Sequence, residues 1–196
     1  HILFGVLWIG LLYYFNFVQT EYFKESEASA KSDVVQKLVP NALWYFRWAA
    51  AFTFLTGLYL LYWLSITVNI GIVLGALMGT LMAANVWFVI WPNQKKVIAG
   101  APDAADAGAK AGLASRTNTL FSLPMLYLMV FSAHGGSLPM IAATDMTGLW
   151  VGIAIIVLIE ANALFGKMNP LITSVKAVIH SGLLLTLVFG ILVHYL

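Results

Sequence analysis

The chain has 196 residues, of which 61% are hydrophobic and 9% charged, against roughly 25% charged in an average soluble domain. A water-soluble globule of this length has no interior large enough for so much apolar side chain, so composition excludes that class and points to a polytopic membrane protein. The net charge is only +2, which gives no support to nucleic acid as a partner, and the absence of cysteine excludes disulfides, thiolate metal sites, iron–sulfur clusters and covalent c-type haem.

Six apolar segments of about membrane-spanning length, roughly 20 residues each, follow in chain order, and the expected fold is all-α: a six-transmembrane-helix bundle forming one integral membrane domain over residues 1–196. The first runs from His1 to about Gln19. His1 already lies inside an apolar run with no charged segment before it, so the start of the chain is expected to be truncated or processed. The loop Glu21–Val39 mixes acids and bases at short spacing and reads as a solvated helical excursion. The second helix spans about Asn41 to Leu64, with Pro40 just before it. The third covers about Val68 to Trp91 and stops at Pro92; its Gly71, Gly75 and Gly79 permit close helix contact, inside the bundle or between subunits. Ala101–Ala114 reads as a short surface helix or linker. The fourth helix runs from about Thr117 to Ala133, ahead of Gly135 and Gly136. The fifth covers about Gly148 to Phe165, and the sixth starts at Pro170, a favourable first-turn position, and runs to the end.

In this arrangement all ten Lys and Arg fall at one side of the membrane, Arg47 at the end of the second helix and the others in the loops after helices one, three and five. The opposite loops, Ser65–Asn69 and His134–Thr147, carry one charge, Asp145. The positive-inside rule makes the basic side cytoplasmic, and a bacterial inner membrane is the expected location.

Three of the four histidines, His1, His134 and His194, reach the other side, at one membrane level on three different helices. Two neutral imidazoles facing each other across a bundle provide the axial ligands of a haem b iron, and His1 with His134 or His194 is the candidate pair. Trp8, Trp150, Met125, Met129 and Phe131 would wall the site. A copper or other metal site and purely interfacial, hydrogen-bonded histidines are the alternatives. His180 lies fourteen residues before His194, nearly on the same helix face and about 21 Å away. The positions fourteen after His1 and fourteen before His134 are Phe15 and Leu120, so two bis-histidine haems are excluded.

A second polar group, Asn16, Arg47, Asn85, Glu160 and His180, lies toward the basic side. Ionisable residues at that depth face a bundle interior and pair. An Arg47–Glu160 ion pair is one reading; a proton path or small-molecule pocket ending at His180 is another; a lipid-facing, snorkelling Glu160 is the third. No nucleotide-binding glycine loop, serine-nucleophile elbow or zinc-protease helix motif is present.

Short stretches along the chain resemble the membrane domain of the cytochrome-c-linked bacterial urate oxidase (urate hydroxylase) family. They are His1, Gly5, Trp8, Ile9 and Gly10; then Asn85, Val86 and Trp87; then Trp91, Pro92, Asn93, Gln94, Lys95 and Lys96. The most specific are Ala114, Ser115, Arg116, Thr117, Asn118 and Thr119, followed by Ser122, Pro124 and Met125 and by Ser132, Ala133 and His134. The resemblance covers roughly His1 to Gly136. It implies a membrane protein passing electrons toward a periplasmic cytochrome c, and it makes His1 and His134 the family-matched histidines. The chain carries no CxxCH motif, so a fused cytochrome domain of that kind is absent from this sequence. The expected function is a haem b electron-transfer subunit, an oxidoreductase or part of one, within a larger respiratory or oxidase complex. A cofactor-free accessory subunit and urate or purine oxidation with a partner cytochrome c are the competing expectations.

Overall fold

The computed structural model describes residues 1–63, 69–134 and 146–195, and its elements are helices. They are α1 (Ile2–Glu25), α2 (Ala28–Lys37), α3 (Val39–Trp63), α4 (Ile70–Ile98), α5 (Ala104–His134), α6 (Thr147–Phe165) and α7 (Val175–Tyr195). Residues 64–68 and 135–145, which include Asp145 and most of the two weakly charged loops, lie outside the described residues.

The all-α class holds, but the six-span bundle does not. Among the described residues, four helices, α1, α4, α6 and α7, are long and apolar enough to cross a membrane. The other two expected spans are helices whose sequences are too polar. α3 carries Asn41, Arg47 and a high share of Trp and Tyr, while α5 carries Asp106, Lys110 and the run Ser115–Thr119. Large apolar side chains nevertheless face outward over the four apolar helices. Leu3, Phe88 and Leu158 are 78%, 79% and 71% exposed, as expected where the surrounding solvent is hydrocarbon.

α5 is the central element, packing against α1, α4, α6 and α7, while α1 also lies along α3. The segment Ala101–Ala114, expected as a short surface helix or linker, is from Ala104 onward the first part of this long helix. Alanine has the highest helix propensity, and Ala107, Ala111 and Ala114 are buried, so a segment of low hydropathy is nonetheless core. Its contacts are with the end of α4, where a Cβ on Gly108 would lie 3.5 Å from Val97.

Two further boundaries differ from expectation because of how the chain handles proline. α4 passes through Pro92, and the residues before it, Asn85–Ile90, form a π-helical stretch in which the Trp91 N–H reaches back to the Val86 carbonyl. A widened turn gives the proline ring room that a regular α-turn would deny it. Pro170 does not open α7, which begins at Val175 behind Ser174, whose hydroxyl accepts the Ala177 N–H at 3.0 Å. α4 is capped in the same way, the Asn69 side chain accepting the Ile72 N–H at 2.9 Å.

The glycine ridge of α4 packs inside the bundle. A Cβ at Gly75 would lie 3.2 Å from Met129 and 3.5 Å from the Met125 carbonyl, and one at Gly79 would lie 3.4 Å from the same two methionine side chains. Both partners are on α5. α7 approaches α5 as closely at Gly182, where a Cβ would collide with Leu123 and lie 3.5 Å from the carbonyl of Leu120, the acceptor that Pro124 leaves without its helical donor.

Candidate functional site

Buried polar residues are most concentrated on one stretch of α5, where Arg116, Thr117, Asn118, Thr119 and Ser122 are all buried. Polar side chains of three other helices converge on it. α1 contains its own π-helical stretch, Tyr14–Gln19, and from it Asn16 donates to the Ser115 hydroxyl at 2.8 Å and to the Leu12 carbonyl at 2.9 Å. One turn earlier, the Tyr13 hydroxyl shares a hydrogen bond of 2.9 Å with Ser122. From the π-helical stretch of α4, Asn85 donates to Asn118 Oδ1 at 3.0 Å and to the Glu160 carboxylate of α6 at 3.1 Å. Asn118 in turn donates to the Met82 carbonyl at 2.9 Å, at the point where the α4 hydrogen-bond register changes. Both widened turns therefore aim an asparagine at α5, and such turns often mark functional positions.

The network ties four helices together through groups that would each be costly to bury alone. Glu160 is only 7% exposed and belongs to it. Arg116, 4% exposed, sits one residue from Ser115 with its Nη1 unpaired, and Glu21 of α1 is the acid whose charge acts on it.

Of the expected basic-side group, Asn16, Asn85 and Glu160 are in this network and Arg47 and His180 are not. Arg47 makes no ion pair with Glu160. Its guanidinium lies 3.9 Å from the Trp91 ring centre, and its backbone carbonyl accepts the Trp87 indole N–H at 3.0 Å. His180 is exposed and its Nδ1 lies 2.8 Å from the Lys176 carbonyl of its own helix, and among the described residues no hydrogen bond joins it to Glu160. Sequence reasoning missed Tyr13, gave Ser115 and Asn118 no role beyond the family resemblance, and placed Arg116 in a loop. The available signal was a run of five polar residues, Ser115–Thr119, between apolar stretches.

The other histidines are at the periphery. His1 Nδ1 lies 3.0 Å from the Thr53 carbonyl and 3.3 Å from the Thr56 hydroxyl of α3. His134 is exposed at the end of α5. His194 packs edge-on against Phe131, ring centres 5.0 Å apart, and borders a cavity of about 410 Å³ lined also by Tyr127 and Tyr195. A second cavity, about 450 Å³, has no histidine in its lining. Neither is bordered by two histidines, and among the described residues no three His, Cys, Asp or Glu side chains form a metal-binding group. Of the expected wall, Trp8 and Met125 are buried while Trp150 is 63% exposed.

No curated protein and no solved structure matches the chain significantly. Residues 67–192 match the family model described as urate oxidase N-terminal. The match takes in Asn85, the Ser115–Thr119 run and Glu160, extends through α6 and most of α7, which the motifs alone did not reach, and leaves out His1 and His194. Covering well over half of the sequence, it shows that this integral membrane chain belongs to the urate oxidase N-terminal family.

Proposed function

We propose that the chain is the membrane-embedded accessory module of a urate-oxidase-type assembly and holds no redox cofactor of its own. The observation that carries this reading is the placement of polarity. The buried, hydrogen-bonded centre at Asn85, Asn118 and Glu160 lies inside the family-matched region and contains no histidine, whereas all four histidines sit at helix ends or on the surface. That centre fixes how α4, α5 and α6 pack, and the outward apolar faces offer a scaffold to lipid and to neighbouring subunits. The connection bearing Lys167 and Lys176 faces the cytoplasm of a bacterial inner membrane in this reading. Electron delivery to a periplasmic cytochrome c belongs to a partner or another segment.

The test is isolation of the assembly from native membranes through a tag on this chain. Fixed stoichiometry with larger redox subunits, and loss of urate-dependent cytochrome c reduction when the chain is deleted, support the proposal. Recovery of the chain alone with full activity in its absence would overturn it.

A haem b reading keeps one observation in its favour. His1 Nδ1 is engaged by the Thr53 carbonyl, the arrangement that orients a ligating histidine and leaves its Nε2 free. His134 would then be the opposing ligand, and the haem would supply one-electron transfer.

A further inference from the structure

The cavity of about 450 Å³ lies between α5, α6, α7 and the connection 166–174, within the usual range for ligand sites of ~300–1,000 Å³. Its lining is graded in the same sense along all three helices. On α5 Thr117 gives way to Leu120, on α7 Ser181 gives way to Leu184 and Val188, and on α6 Asn162 lies nearer the connection than Leu158. Thr117, Asn162, Asn169 and Ser181 thus gather at the end beside the connection, together with Leu171 and Ile172, and the rest of the lining inward from it is aliphatic. The Asn162 side-chain amide makes no hydrogen bond among the described residues. The cavity opens sideways, since Leu158 and Leu184 on its walls are 71% and 62% exposed.

Charge completes the pattern. Lys167, on the connection that lines the cavity, and Lys176, in the first turn of α7, are exposed, and neither has an ion-pair partner among the described residues. No acid follows Glu160 in the sequence, and Glu160 itself is buried against Asn85.

We infer that this groove is a binding site for an anionic phospholipid, one acyl chain lying along Leu158, Leu184 and Val188 and the phosphate held at the rim by Lys167 and Lys176. Basic clefts between membrane helices at the cytoplasmic face recognise anionic headgroups in this way. The site is independent of whether the chain carries a cofactor.

The full chain is reconstituted with equal phosphatidylglycerol and phosphatidylcholine, extracted in mild detergent, and its retained lipid counted by native mass spectrometry. Phosphatidylglycerol is expected to be retained in preference, and the preference to fall about fivefold for each lysine replaced in Lys167→Gln and Lys176→Gln. Leu184→Trp, at an exposed wall position, should abolish retention with both lysines intact, and Lys31→Gln should change nothing. Equal retention of the two lipids, a preference unchanged in the double lysine variant, or a quinone or protein subunit retained there in place of lipid would overturn the inference. Unchanged helical circular dichroism confirms that each variant is folded.

Discussion

The Asn85 side chain of α4 donates to the Glu160 carboxylate of α6 across 3.1 Å, and the same amide nitrogen holds Asn118 of α5 at 3.0 Å. One asparagine therefore sets the relative position of three helices. Asn85→Leu fits the space but leaves two buried acceptors without a donor, at a cost of about 1–3 kcal/mol each. Thermal unfolding in detergent should register a large loss for Asn85→Leu. Glu160→Gln keeps an oxygen acceptor toward Asn85, so its loss should be much smaller.

A second expectation concerns the α4–α5 contact. Gly75→Val would force Met129, 3.2 Å from the new Cβ, and the neighbouring α5 backbone to move, costing about 1–3 kcal/mol by overpacking. Gly10→Val is the control, because nothing lies within 4 Å of its Cβ position. The two melting temperatures, taken in one detergent, should differ clearly.

Arg47 is held by aromatic rings and not by a carboxylate. Its contact with Trp91 is expected to contribute about 0.5–2 kcal/mol. A double-mutant cycle of Arg47→Met with Trp91→Leu should therefore show coupling, while the cycle of Arg47→Met with Glu160→Gln should be additive within about 0.5 kcal/mol.

Between α4 and α5, Lys96 donates to the Asp103 carboxylate at 2.6 Å. This hydrogen bond holds the Asp103 carboxyl below the usual aspartate range. Because the folded-state value is depressed, the stabilisation is present above the unfolded-state value and is lost as pH falls below about 4 through the folded one. Both groups are solvent-exposed, so the effect is small and screened by salt. A stability titration from pH 6 to pH 2 should fall less steeply for Asp103→Asn than for the parent.

The membrane class, the positions of α3 and α6 and the presence of Asn85 and Glu160 at the centre were legible because they rest on apolar run length and on the rarity of polar groups within such runs. The central helix was not. Its first part is alanine-rich and its middle is the polar run Ser115–Thr119, so hydropathy reads the one as linker and the other as a boundary, although α5 buries both against its neighbours. Continuation of α4 past Pro92 depends on a widened turn that leaves no mark in composition. Charge and depth offer an Arg47–Glu160 pair as one of three readings; the rings of Trp87 and Trp91, which Arg47 meets instead, carry no charge to mark them as its partners.

The most direct test of the account is a reduced-minus-oxidised visible spectrum, with haem extraction, of the purified chain bearing its full sequence. A colourless, folded protein that regains urate-dependent cytochrome c reduction only when recombined with its larger partner subunits is the predicted result. A b-type signal stoichiometric with the chain and lost in His1→Ala or His134→Ala would contradict the central claim and place the redox centre on this polypeptide.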